Sequence, residues 1–171
     1  MLKNKTDHKS IAKRLQIALY WLEDGILVGL LLLMIVMAVT QIFLRNLFEG
    51  GIIWSDVLVR TLVLWVGLVG AMVASRQGNH INIDILERYL PSRVKPIVKF
   101  IVELFTALIC SGVAYFSLRF VQMEYIEGGM SFAKVPAWVC EAIIPFAFVV
   151  IALRYFILAF LNFKKMFTSR S

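Results

Sequence analysis

Residues 41–86 read QIFLRNLFEGGIIWSDVLVRTLVLWVGLVGAMVASRQGNHINIDIL, and two membrane spans meet inside them. Arg45 closes one apolar run, Gly50-Gly51 and Trp54-Ser55-Asp56 make the turn, and the run that follows carries Arg60. That second run leaves its apolar stretch at Arg76 and ends in the polar segment His80-Ile81-Asn82-Ile83-Asp84. Ionisable side chains at membrane depth are expensive, so Asp56 and Arg60 mark either an internal ion pair or a functional contact.

The rest of the chain fits a protein built for lipid. Of its 171 residues, 60% are hydrophobic, and the mean hydropathy is +0.81. Soluble domains lie nearer ~45–50% apolar. The formal charge of +7 does not point to nucleic acid, because the basic residues gather at the termini and in one loop. The two cysteines, Cys110 and Cys140, lie in apolar runs outside any CxxC or Cys/His group and read as small packing residues. The first apolar run starts only at Gly25, late for a cleaved signal peptide, so it is expected to stay as an anchor.

The expected fold is an all-α integral membrane protein with four transmembrane helices and short interfacial amphipathic helices. A span needs about 20 mostly apolar residues. Four such runs lie at about residues 25–46, 55–76, 93–120 and 136–161, within a membrane domain of residues 25–163. Residues 1–24 are expected to form a cytoplasmic tail and interfacial helix, with Ile11, Leu15, Leu19 and Leu22 on one face. Residues 164–171 form a basic tail, and residues 81–90 make a second interfacial segment, read as helix because a lone strand would leave its backbone unpaired. Ser55 and Ser92 suit helix N-caps, Pro136 suits a first helical turn, and Pro145 should kink the fourth span. Lysines and arginines crowd the N-terminal tail, the loop after the second span and the C-terminal tail, which predicts that both termini are cytoplasmic.

Several function classes lack their residues. There is no GxxxxGK[ST] phosphate loop, GxSxG or HExxH motif. The two histidines, His8 and His80, lie outside the spans, which disfavours a haem-binding anchor. No metal site, cofactor or enzyme activity is expected. Four spans also leave little room for an inverted repeat with broken helices, so the chain alone is not expected to be the translocating unit. The competing reading is a self-sufficient small transporter or channel formed by oligomerisation. It would need a polar stripe along a span, whereas the charges here lie near span ends.

Asp56 and Arg60 are four residues apart and can pair on one helix face, or Arg60 can reach a partner subunit. Glu141 lies five residues past Pro136, at a depth like that of Arg60, so Asp56, Arg60 and Glu141 are expected to share one polar network. Arg45 ends the first span, where snorkelling to headgroups is the simpler account. Trp21, Trp54 and Trp138 flank spans as interface anchors. Glu103 can pair with Lys99 one turn earlier. Arg76, His80 and Asp84 are candidates for docking another membrane protein on the cytoplasmic side.

Taken in order, Arg45, Trp54-Ser55-Asp56, Arg60, Trp65, Arg76, His80-Ile81-Asn82-Ile83-Asp84, then Ser131, Pro136 and Trp138, resemble the pattern of the small membrane subunit of tripartite ATP-independent periplasmic (TRAP) transporters, the DctQ-like family. The chain departs from it at Val57, where the family often carries a second acid. The resemblance implies a non-catalytic scaffold subunit in the bacterial inner membrane. It implies a large multispanning partner that holds the substrate and sodium sites, a periplasmic substrate-binding protein, and surrounding phospholipids. It also implies symport of an organic anion such as a C4-dicarboxylate or sialic acid.

Overall fold

The computed structural model describes residues 3–47, 54–77, 94–131 and 134–168. Among these residues five helices follow one another: α1 (Lys3–Leu47), α2 (Ser55–Gln77), α3 (Lys95–Glu127), the short α4 (Ala137–Glu141) and α5 (Ile143–Thr168). Four segments of the described residues are long and apolar enough to cross a membrane: Ile17–Leu47, Ser55–Arg76, Lys95–Glu127 and Ala137–Lys164. The all-helical, four-span architecture expected from the sequence is therefore present, and no strand occurs among the described residues. The interfacial segment 81–90, with His80, Asp84 and Ser92, lies outside the described residues, as does Gly50-Gly51.

The chain divides into two compact units, Met1–Val73 and Ala74–Ser171. In the first, α1 is one helix of 45 residues that passes residues 24 and 25 without a break. At ~1.5 Å per residue it far exceeds the ~30 Å hydrocarbon core, so only part of it can lie in lipid. α2 runs back along it. Gln41 of α1 meets Ser55 and Asp56 at the start of α2, while a Cβ added at Gly70 would meet Leu27 at 3.9 Å.

In the second unit α3 and α5 are antiparallel neighbours. Phe100 lies against Phe163 with ring centroids 5.4 Å apart, and at the far end of α3 Tyr125 meets the edge of Trp138 at 5.5 Å. Small residues make the close approach possible. Ala107 and Ala147 are both 0% exposed, and Cys110, Ala114, Ala152 and Ala159 are buried with them. Lipid is as apolar as these side chains, so packing contacts and interhelical hydrogen bonds hold such a pair. Cys110 and Cys140 are free thiols in buried positions, as their apolar surroundings in the chain predicted.

α3 has Pro96 in its first turn, where a missing N–H does no harm. It ends at Gly128, whose φ of 68° places it in the left-handed region and whose N–H closes on the Glu124 carbonyl. The chain then makes a tight reversal. Met130 bridges Pro136, Ser131 N donates to Val135 O at 2.8 Å, and Ala137 N donates to Gly129 O at 2.9 Å. Pro136 itself stays extended, with ψ of 137°, and α4 starts after it. The disturbance from Pro145 appears three residues early, at Ala142, because proline has no N–H for the carbonyl of Glu141. Ala142 keeps helical angles, so the fourth span is interrupted rather than broken.

Candidate functional site

The candidate site is a set of polar side chains on otherwise apolar helices. The first group lies where α1 hands over to α2. Gln41, the lone amide in its apolar run, donates from Nε2 to Asp56 Oδ1 at 3.2 Å and accepts through Oε1 from the Ser55 hydroxyl. Ser55 is buried and spends its hydroxyl on α1, while the Trp54 carbonyl accepts the first helical N–H, from Leu58. Ser55 therefore ties two helices together, and its expected N-cap role is not seen.

Arg60 does not pair with Asp56. The Asp56 carboxylate takes its hydrogen bond from Gln41, and Arg60 is exposed with no hydrogen-bond or ion-pair partner among the described residues. Arg45 is likewise exposed, in the last turn of α1. Trp21 and Trp54 are exposed. Trp138 is half-buried, held by Tyr125. Arg76 is half-buried in the last turn of α2.

Glu141 ends α4 in the second unit. It is half-buried, and its Oε2 is shielded from solvent with no hydrogen-bond partner among the described residues. Glu124 is the like-charged neighbour that acts on it. The carboxylate of Glu124 leans over the turn, since a Cβ on Gly129 would stand 2.5 Å from Glu124 Oε1. Pro145 leaves the Glu141 carbonyl without its helical donor, so this end of the span concentrates negative charge.

Two polar pairs escaped the sequence reading. Glu103 is only 4% exposed and accepts from Asn162 Nδ2 at 2.8 and 2.7 Å through its two oxygens. The Lys99–Glu103 pair expected within α3 does not form. Glu103 turns inward to α5, where an amide satisfies it without bringing a second charge into the interface. Arg154 Nη1 donates to Ser75 Oγ at 3.1 Å, joining α5 to the end of α2. The available signal was an amide or hydroxyl inside an apolar run, such as Asn162 and Ser75, since such a group needs a partner. No group of three or more His, Cys, Asp or Glu side chains suited to a metal ion occurs among the described residues.

A family model for the DctQ component of tripartite ATP-independent periplasmic transporters matches residues 10–165. The chain belongs to this family. It is thus a small subunit of a TRAP transporter and a multi-pass protein of the bacterial inner membrane. Among its relatives is a sialic acid TRAP transporter permease protein, SiaT, of Haemophilus influenzae. It is 30% identical over 81 residues, which make up 47% of this chain and 13% of that one. A putative TRAP transporter small permease protein of Haemophilus influenzae is 28% identical over 83 residues, 48% of this chain and 52% of that one. The ectoine TRAP transporter small permease protein TeaB of Halomonas elongata is 25% identical over 142 residues, 82% of this chain and 74% of that one. The match thus spans about half the length of one Haemophilus relative and a small part of the other.

Proposed function

We propose that this DctQ component is a non-catalytic scaffold for a large multispanning transport subunit and helps a periplasmic substrate-binding protein to dock. The transporter is a sodium-coupled symporter for a carboxylate-bearing organic anion of the sialic acid or C4-dicarboxylate type. One observation carries the partner reading: the matched region is 13% of the Haemophilus sialic acid permease. In that relative a segment like this one belongs to a far longer permease chain.

The polar residues support a docking role. Arg60 is exposed on an apolar span, and a carboxylate oxygen of Glu141 is held without a donor among the described residues. A charge left unpaired at membrane depth gains most from a partner of opposite sign. Arg45, Asp56, Arg60 and Glu141 are the residues proposed to meet the large subunit. Arg76, His80 and Asp84 serve its cytoplasmic side, with both termini of this chain in the cytoplasm.

A tagged chain drawn from native membranes in mild detergent tests this reading. A larger multispanning protein should co-purify in equimolar amount, and Arg60→Glu or Glu141→Arg should each reduce it. Recovery of a homo-oligomer with no larger partner would sink the scaffold reading.

A further inference from the structure

A groove runs along the side of α3 that faces away from its buried alanines. Ile109, Gly112, Val113, Phe116 and Phe120 recur at helical spacing on one stripe, and Ile144 of α5 forms the flank. The groove holds about 570 Å³ and its walls are almost wholly apolar. Phe116 is 69% exposed beside it. Gly112 forms its floor, and a Cβ added there would meet nothing within 4 Å.

Arg119 stands at one end of this stripe, three residues past Phe116 and seven past Gly112. Its guanidinium lies over the Tyr115 ring at 5.4 Å, and no carboxylate pairs with it among the described residues. The five N–H donors of an arginine match an oxyanion. No other charged residue occurs between Leu104 and Leu118, so the cation sits where the apolar run ends. Tyr125 and Trp138 pack edge to face further along towards the end of α3, as aromatic side chains do at the membrane interface.

From Arg119 to Ile109 is ten residues. At ~1.5 Å per residue this is ~15 Å, half of the ~30 Å hydrocarbon core and so the depth of one leaflet. A cation at one end of an apolar groove matches an amphiphile with one anionic end and one apolar chain. The geometry points to a bound glycerophospholipid, with its phosphodiester on Arg119 and an acyl chain lying over Gly112 between Phe116 and Ile109.

The site rests on the membrane-spanning fold and not on the choice of partner or solute. Native mass spectrometry of the full chain in mild detergent, titrated with dioleoyl phosphatidylglycerol, reads it directly. The wild-type chain should retain one lipid. Arg119→Gln should weaken retention about fivefold, the effect of one cation near a lipid headgroup. Gly112→Leu should do the same by filling the groove, and the open space at Gly112 lets it fold normally. Lys95→Gln, at the opposite end of α3, should leave the Arg119 site occupied. Equal retention by all four proteins would overturn the proposal and leave only unspecific annular lipid. A lipid-free wild type whose co-purifying membrane protein is lost in Gly112→Leu would also overturn it, and would assign the groove to a protein helix.

Discussion

At the scale of single residues, the Glu103–Asn162 pair shows how this membrane protein handles a buried charge-bearing group. Both carboxylate oxygens lie within hydrogen-bond distance of one amide nitrogen across the α3–α5 interface. Removing the amide strands two acceptors where water cannot reach them. Asn162→Ala should lower stability by about 1–2 kcal/mol, read from SDS-induced unfolding in mixed micelles. Replacing both residues by leucine should recover most of that loss, because the unsatisfied acceptor is gone. If the single and double variants unfold alike, the pair carries no coupling and shape alone sets the interface. Gln41 makes a parallel case, since one amide serves both the Ser55 hydroxyl and the Asp56 carboxylate.

At the scale of elements, the end of α3 is set by two adjacent glycines with different duties. Gly128 adopts a φ of 68° and caps the helix. Gly129 has an ordinary backbone but little room, because Glu124 lies where its Cβ would be. A Cβ at Gly128 meets the left-handed penalty, so Gly128→Ala should destabilise the chain by about 1 kcal/mol. Gly129→Ala should be milder, since the group in its way is the flexible end of a glutamate. Thermal melts of the two variants in detergent check the order, and a larger loss at Gly129 would show that Glu124 is fixed in place. The fourth span adds a related lesson. Pro145 should kink the fourth span, and the interruption falls at Ala142, next to the Glu141 carbonyl that proline leaves without its donor.

At the scale of the whole molecule, the two cysteines report the folded state. Both are free and buried, Cys110 on α3 and Cys140 on α4. A maleimide should leave them unlabelled in the native protein and modify both after SDS denaturation. Rapid labelling of Cys110 in the native state would mean that the α3–α5 interface opens readily.

The four-span helical fold was legible in the chain, because a span is a local property. About 20 apolar residues in a row satisfy the bilayer wherever their neighbours lie. Trp54-Ser55-Asp56, Arg60 and the His80–Asp84 segment also pointed to the family, since their order along the chain survives without any contact being known. Partner choice was not legible. Asp56 and Arg60 have the spacing of an ion pair, as do Lys99 and Glu103, yet Gln41 takes Asp56 and Asn162 takes Glu103. Those amides lie 15 and 59 residues away along the chain. Only the antiparallel register of packed helices brings them close, and no spacing within a single helix encodes it. Membrane crossing follows from the local run of apolar residues. Which polar groups satisfy each other inside the membrane follows from how the helices pack, because a buried hydrogen bond depends on the geometry between helices.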